Sequence, residues 1–372
     1  MKVLMVSKAC VLGIYQRKLE ELARFPDLDL VLIVPPYWKE KGRRVKLERV
    51  HTEGYQLIVE HMALNGHFHL HFYPRLGGHV RQIQPDILHI DEEPYNLASF
   101  HATRLALAVG ARPIFFTWQN LLRSYPFPFN WFERHNYRHA AHAIAGNSEG
   151  IDVLRAKGYQ GPLSVIPQFG VDPEMFRPVS ERGAARPGTF RIGYVGRLVE
   201  EKGVDLLLKS AASLDGPWEL SILGDGPFKA HLKRLCRSLG IESKVAFQDP
   251  LPSSQMPAYY RQLDVLVLPS RTRRNWKEQF GRVIIEAMAS GTPVIGSTCG
   301  EIPNLIGEAG LLFPEDDADS LAAQLRLLMT DAEQRQSLAS LGRARVLQHF
   351  TQRQIAEDTH AAYLKVMEQD GG

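Results

Sequence analysis

Two glutamates, Glu278 and Glu286, stand eight positions apart where a polar loop runs into an apolar stretch. A carboxylate accepts several short, charge-assisted hydrogen bonds, so it suits the hydroxyl groups of a sugar. The apolar spacing that follows predicts a buried helix, which should begin near Gly281. Unpaired amides at such a helix start, near Phe280 and Gly281, could bind an anion. An i,i+4 ion pair between Arg282 and Glu286, with Glu278 on the solvated surface, explains the same spacing without any function.

Cationic residues and glycines follow two upstream segments that have the pattern of short buried strands. Residues 192–195 run into Gly196 and Arg197, with Lys202 a few positions later, and a second strand ends in a turn that contains Gly224. In open parallel sheets, ligands lie beyond the carboxyl ends of the strands and at helix N-termini. A planar guanidinium and a compact ammonium at that place suit a diphosphate. The pattern therefore predicts a nucleotide-type site.

Residues from about 190 to 350 resemble the donor-binding domain of the retaining glycosyltransferases of family 4. The resemblance rests on Gly-Arg and Lys-Gly after the first strand, on Gly-Asp-Gly-Pro at 224–227 and on the glutamate pair, in the family's order. It implies an α/β fold of the GT-B type, in which two Rossmann-like, doubly wound domains face each other across a cleft. It also implies transfer from a nucleotide-diphosphate sugar, such as a UDP-sugar, to an acceptor hydroxyl in cell-surface polysaccharide or glycolipid synthesis.

The resemblance assigns roles to individual residues. Arg197 and Lys202 would stabilise the leaving diphosphate. Glu278 would hold hydroxyls of the transferred sugar, and Glu286 the ribose hydroxyls of the nucleotide. The other residues expected at the donor are Gly13, Gly196, Gly224, Phe280, Gly281 and Arg282. We therefore expect a reaction that needs no protein nucleophile, no metal ion and no further cofactor.

The N-terminal half departs from the family's pattern at two places. A single glycine, Gly13, stands where the family has a glycine pair, and Trp-Gln-Asn replaces the histidine that many members carry after a central strand. The acceptor-side candidates are therefore Gln119 and the carboxylates of Glu92 and Glu93, which could orient an acceptor hydroxyl. The replacement of the histidine motivates one alternative, a non-catalytic GT-B protein that binds a nucleotide sugar as a sensor or partner subunit. A second alternative keeps the fold and changes the reaction, to a sugar-nucleotide epimerase or a phosphorylase.

The composition is that of a globular protein with two domains. A length of 372 residues exceeds the size at which single cores divide, and 44% hydrophobic and 23% charged residues are ordinary values. A net charge of +3 without a recognisable binding module gives no support for a nucleic-acid partner. Three widely spaced cysteines fit a reducing compartment, and no run of about 20 apolar residues is present. We therefore expect a cytoplasmic protein.

The domain boundaries follow from the same patterns. We expect an acceptor-side domain at 1–171, a linker at 172–190, a donor domain at 191–350 and a C-terminal helix at 351–372. The resemblance implies that this last helix returns to the first domain.

Four further features have plain structural interpretations beside their functional ones. His67, His69 and His71 alternate, which predicts one face of a strand more than a metal site. The acidic run 316–320 predicts a helix cap. A basic run at 39–46 and an aromatic, proline-rich segment at 125–131 suit an anionic membrane surface or a lipid-linked sugar, with surface loops as the alternative. We therefore expect a carbohydrate or lipid-linked acceptor and a peripheral contact with the inner membrane face.

Overall fold

The computed structural model describes residues 1–40, 42–178 and 188–368. The chain divides into two compact units. The first unit combines Met1–Gly170 with the segment from Gln352 onward, and the second unit is Val171–Thr351. Within the expected linker at 172–190, residues 179–187 lie outside the described residues. The part before them packs into the second unit, where the Phe176 side chain is buried against Tyr260.

The first unit is built around a parallel sheet. Its strands are β1 (Lys2–Val6), β2 (Asp29–Val34), β3 (Tyr37–Glu40), β4 (Arg43–Lys46), β5 (Gln56–Val59), β6 (Ile87–Ile90), β7 (Arg112–Thr117), β8 (His142–Ala145) and β9 (Leu163–Val165). Its helices up to residue 170 are α1 (Arg17–Leu22), α2 (Leu76–Ile83), α3 (Leu97–Ala108), α4 (Phe129–His139) and α5 (Glu149–Ala156). In the described part of this unit, the parallel strands are ordered β5-β2-β1-β6-β7-β8-β9, and β3 and β4 form an antiparallel hairpin.

The second unit repeats this architecture. Its strands are β10 (Phe190–Val195), β11 (Trp218–Leu223), β12 (Val245–Gln248), β13 (Val265–Leu268), β14 (Val294–Ser297) and β15 (Leu311–Phe313). Its helices are α6 (Val204–Ala212), α7 (Lys229–Ser238), α8 (Met256–Arg261), α9 (Arg282–Ala289), α10 (Ile302–Ile306), α11 (Ala318–Thr330) and α12 (Ala332–His349). The strands are parallel and ordered β12-β11-β10-β13-β14-β15. The sequence predicts such strands because helices cover both faces of a parallel sheet, so its strands are apolar throughout.

The last helix, α13 (Gln352–Glu368), belongs to the first unit. Its buried residues Ile355, Tyr363 and Val366 share one hydrophobic cluster with residues of β1 and β2. The Tyr363 hydroxyl lies 2.6 Å from Nδ1 of His89, a buried residue of β6. The helix α13 therefore forms part of the core of the first unit, although it is remote in sequence from the strands that it covers.

Two of the plain structural predictions have clear outcomes. The predicted histidine strand is wrong, because the segment folds as a turn in which the amide of His71 donates to the carbonyl of His67. Three alternating histidines over five residues are too short a pattern to distinguish a strand from a turn. The predicted helix cap is confirmed, since the Asp317 carboxylate accepts a hydrogen bond from the amide of Ser320 at 2.9 Å.

Within residues 1–40, 42–178 and 188–368, no helix is both long enough and apolar enough to cross a membrane.

We expect the stability of the first unit to fall between neutral and acidic pH because of His89. Burial lowers the pKa of His89 to about 4, although the Asp91 charge opposes the shift. The unfolded chain, with an ordinary histidine pKa near 6.5, then binds more protons than the folded one between these values. The contribution is present above pH 6.5 and is lost as the pH falls toward 4, at roughly 1.4 kcal/mol per pH unit.

Urea denaturation of wild type and His89→Gln at pH 7.5 and 4.5 measures this effect. The variant should lose less stability between the two pH values, by roughly 3 kcal/mol. His61→Gln, at an exposed position of the same unit, is the control and should behave as wild type. An equal acid destabilisation of His89→Gln and wild type would contradict the assignment.

Candidate functional site

The strand order reverses beside one central strand in each unit. In the second unit, β10 lies between β11 and β13, and in the first unit β1 lies between β2 and β6. At such a switch point the chain leaves the two neighbouring strands in opposite directions, so their carboxyl ends border an open crevice. The residues that follow β10 and β13 are those that the sequence singled out.

The loop after β10 carries the two predicted cations. Arg197 is half exposed, and its guanidinium lies 3.8 Å from the Glu201 carboxylate. Lys202 ends a short 3₁₀ turn, and Gly203 follows with a φ of +66° as α6 begins. A Cβ on Gly203 would lie 1.9 Å from the Pro269 carbonyl oxygen. Only glycine therefore allows this loop to approach the strand end after β13 so closely.

Glu278 is buried in the loop after β13 and bonded to the first loop. Its carboxylate receives the Lys202 ammonium at 2.5 Å and the Ser270 hydroxyl at 2.8 Å on the same oxygen. The Lys202 ammonium also lies over the Trp276 ring, 4.9 Å from its centroid. The solvated position for Glu278 in the non-functional interpretation is therefore wrong. The structure instead joins two predicted catalytic residues from separate loops into one ion pair.

Glu286 is buried in the first turns of α9. One carboxylate oxygen lies 3.0 Å from Nε of Arg282, and the other accepts a hydrogen bond of 2.7 Å from the Tyr260 hydroxyl. Burial raises the pKa of Glu286, while Arg282 and Tyr260 oppose that shift. The i,i+4 pair of the non-functional interpretation is thus present. It does not exclude a binding role, because Glu286 and Arg282 also line a cavity.

A cavity of about 290 Å³ lies at the carboxyl edge of the second sheet. Its lining brings together five residues predicted from the sequence, which are Gly196, Arg197, Gly224, Arg282 and Glu286. The lining also includes Pro250, Leu251, Ser253 and Met256, which lie in and after the loop that follows β12 and form a largely apolar wall. The charged lining residues come from the loops after β10 and β11 and from α9. A flat, partly apolar ligand with hydroxyl groups fits this chemistry.

The two glycine turns are held against each other at this edge. A Cβ on Gly224 would lie 1.9 Å from the Gly196 carbonyl oxygen. The amide of Leu198 donates to the carbonyl of Asp225, and the amide of Phe228 donates to the carbonyl of Leu198. A side chain at Gly224 would separate the turns that line the cavity.

The start of α9 is where the sequence predicts it. Gly281 precedes the helix with a φ of +92°, and the side chain of Phe280 is buried. Gly281, as the N-cap residue, contributes no side-chain cap to this helix. The helix dipole and its first amides therefore favour an anion there.

The first unit carries its own carboxylates at the end of β6. Asp91, Glu92 and Glu93 are consecutive and buried. Glu92 receives the Lys8 ammonium, and burial, which would raise its pKa, is outweighed by Lys8 and His71, so the pKa is lowered. Burial raises the pKa of Glu93 to about 7, against the hydrogen bonds that Thr117 and the Trp118 amide donate.

The other two predicted residues of the first unit have protein partners. The Gln119 side chain is buried in a polar cluster of the first unit. Its amide lies between the Lys157 ammonium, at 2.7 Å, and the Glu133 carboxylate, at 3.2 Å. The amide of Gly13 donates to the Glu48 carboxylate at 2.7 Å. The Glu48 carboxylate therefore accepts the hydrogen bond of the amide that the resemblance would direct at a diphosphate.

Several residues of these sites were missed in the sequence. Ser270 and Tyr260 hold the two glutamates, and Lys8 binds Glu92. The rule that ligands lie beyond strand ends could have found Lys8 and Ser270, since each follows a strand by two residues. Tyr260 lies in α8, and no local signal marks it as a partner of Glu286.

The described residues contain no group of three or more histidine, cysteine, aspartate or glutamate side chains that could hold a metal ion.

Comparisons with known proteins agree with this architecture. The family described as glycosyl transferases group 1 matches residues 178–345. A D-inositol 3-phosphate glycosyltransferase of Corynebacterium glutamicum is 32% identical over 185 residues, 45% of this chain and 43% of the relative. The sulfoquinovosyl transferase SQD2 of Arabidopsis thaliana is 26% identical over 73% of this chain and 55% of its own. The chain thus spans about half the length of the curated relatives it matches.

Solved structures show the same fold. A sucrose-phosphate synthase from Thermosynechococcus elongatus superposes with a TM-score of 0.75 at 19% identity, covering 99% of this chain and all of that one. Anabaena HepE in complex with UDP gives 0.75 at 18% identity over 98% of this chain and 100% of its own. The α/β class and the GT-B architecture of two Rossmann-like domains are therefore confirmed.

Proposed function

Because residues 178–345 match the family described as glycosyl transferases group 1, we propose that the protein is a glycosyltransferase that uses a nucleotide-diphosphate sugar. It transfers the sugar to an acceptor hydroxyl with retention of configuration and without a metal ion. The observation that carries the proposal is the ion pair of Lys202 and Glu278, at the same sheet edge as the cavity that Arg197 and Glu286 line. Cell-surface polysaccharide or glycolipid synthesis is the proposed context, since a phosphatidylinositol monomannoside mannosyltransferase of Mycolicibacterium smegmatis is 28% identical over 49% of this chain.

In this proposal, each part of the donor contacts residues of matching chemistry. The apolar wall of the cavity receives the base, and the Glu286 carboxylate accepts from the ribose hydroxyls. Arg197 and Lys202 face the diphosphate, and the first amides of α9 add partial positive charge. Glu278 holds hydroxyls of the sugar while it keeps the Lys202 ammonium in place.

The reaction proceeds by charge stabilisation. The bond between the anomeric carbon and the diphosphate oxygen breaks, and a bond to the acceptor oxygen forms on the same face. The leaving phosphate oxygen takes the acceptor proton, so no protein base or nucleophile is required. The two cations lower the barrier because they bind the leaving group more strongly as its negative charge grows. Glu278 contributes by orienting the sugar.

Nucleotide binding is the first test of the donor site. We expect calorimetry with UDP, GDP and ADP to show clear binding of one of the three nucleotides. UDP is the first candidate, because HepE was solved in complex with UDP. Glu286→Ala should weaken that binding by about tenfold or more, since one or two charge-assisted hydrogen bonds are lost. Glu333→Ala, at an exposed position of α12, is the control. A folded protein that binds none of the three nucleotides would contradict the proposal.

Turnover separates an enzyme from a binding protein. Lys202→Ala and Glu278→Gln should each lower kcat by about 10²- to 10³-fold, the usual cost of losing a group that acts in the transition state. Lys209→Ala, at an exposed position of α6, should keep wild-type turnover. The rates are measured as the release of the nucleoside diphosphate from the donor in the presence of extracts that contain the acceptor. Near-normal turnover in either variant contradicts the roles, and nucleotide binding without turnover in wild type identifies a sensor.

We further propose that the first unit contacts an anionic membrane surface. The β3–β4 hairpin exposes basic side chains, which are Lys39, Arg43, Arg44 and Lys46. Leu122, Phe127 and Trp131 are also exposed, at 68%, 79% and 50% of their area. Basic side chains attract anionic lipid, and exposed aromatic residues suit the membrane interface.

Sedimentation with phosphatidylglycerol vesicles tests the membrane contact, with phosphatidylcholine vesicles for comparison. We expect binding to the anionic vesicles alone, and a loss of roughly tenfold or more in Arg43→Glu/Arg44→Glu, because each basic residue contributes about 1 kcal/mol. Arg353→Glu, exposed on α13, is the matched control. Equal sedimentation of the double variant and the control would reject this surface.

A further inference from the structure

The first unit contains a cavity of about 740 Å³ at the carboxyl edge of its sheet, within that unit alone. Five aromatic side chains line it, from Tyr15, Trp38, Phe68, Phe116 and Trp118. Ring faces of this kind suit the C–H surface of a sugar or another flat ring, and the volume suits a ligand of one to a few rings.

The polar part of the lining is acidic. Asp91, Glu92 and Glu93 all border the cavity and are more than nine-tenths buried. Asp91 accepts hydrogen bonds from the Ser7 hydroxyl at 2.6 Å and from the Gln168 amide at 2.9 Å. These protein donors fix the carboxylates in place. A carboxylate oxygen has several lone pairs, so each can still accept from a ligand hydroxyl.

The main cation of the cavity is already neutralised. The Lys8 ammonium is bound to Glu92 and lies over the rings of Trp38 and Phe68, 5.6 and 4.9 Å from their centroids. The charged lining residues are Lys8 and Lys39 against Glu40, Asp91, Glu92 and Glu93. Even with Glu93 protonated, the carboxylates outnumber the ammonium groups by three to two.

We infer that this cavity selects an acceptor that is an uncharged, hydroxylated ring and rejects a phosphorylated one. The inference deepens the proposed function and rests on it. A phosphate in the cavity would lie among buried carboxylates, where Coulomb repulsion is only weakly screened. The hydroxyl groups of a neutral sugar would donate to the same carboxylates while its apolar face packs on the aromatic wall.

Wild-type protein tests the inference directly. Trp38 and Trp118 line the cavity, so their fluorescence reports occupancy. The neutral probes are the phenyl glycosides of glucose, galactose and mannose, and the anionic probe is D-inositol 3-phosphate. We expect at least one neutral glycoside to bind about tenfold or more tightly than the phosphate, the scale of one unfavourable charge contact. Equal or tighter binding of the phosphate, or no saturable response to any neutral glycoside, overturns the inference.

A variant that leaves the Lys8 ammonium without its carboxylate partner gives a second readout. Glu92→Gln removes the carboxylate that neutralises Lys8, so its ammonium becomes available to an anion. The preference for the neutral probe should shift toward D-inositol 3-phosphate by about tenfold, since an unpaired ammonium stabilises a nearby phosphate. Glu60→Gln removes a buried carboxylate paired with His79 outside the lining and should leave the preference unchanged. An unchanged preference in folded Glu92→Gln overturns the inference.

The two proposals fail in different measurements. Nucleotide calorimetry reports the second unit, and tryptophan fluorescence with glycosides reports the cavity of the first. Glycoside selectivity without nucleotide binding would contradict the donor assignment alone. Nucleotide binding and turnover together with tight binding of D-inositol 3-phosphate would contradict the acceptor class alone.

Discussion

The reversal of strand order at β10 and β13 is the constraint on which the second unit depends. It leaves the loops after these two strands opposite each other with no helix between them. Three contacts then join the loops. Lys202 pairs with Glu278, the Arg271 amide donates to the Glu201 carbonyl, and Gly203 comes against the Pro269 carbonyl. The cation and the carboxylate that the proposed reaction uses are adjacent because the topology brings both strand ends to one place.

Buried carboxylates are the feature that the two units share, and their partners differ. A buried charge is tolerated only where partners replace its lost hydration. In the second unit, Lys202 and Arg282 supply positive charge to Glu278 and Glu286. Among the three carboxylates after β6 in the first unit, Asp91 and Glu93 accept from neutral donors and Glu92 is paired with Lys8. The first edge is therefore acidic, and the second carries cations suited to phosphates.

Much of the second unit was predictable because its signals are local. The strand–turn–helix order, the glycine turns and the start of α9 all depend on residues close in sequence. Five of the residues that the sequence singled out line one cavity, which also includes residues from the segment that begins at Pro250. The first unit was less predictable. The histidine segment at 67–71 is a turn, and the Gln119 side chain lies in a polar cluster with Lys157 and Glu133.

The sequence by itself determined the parallel α/β class, the two-domain organisation and the candidate charges at the strand ends, because buried strands and glycine turns leave short-range patterns. The tertiary structure decided which of those charges meet. Ser270 reaches Glu278 from eight residues away, Tyr260 reaches Glu286 from 26, and Lys8 reaches Glu92 from 84. A side chain's partner depends on packing between elements, and the balance of charge within a cavity depends on all of its walls. The spacing of residues along one segment determines neither property.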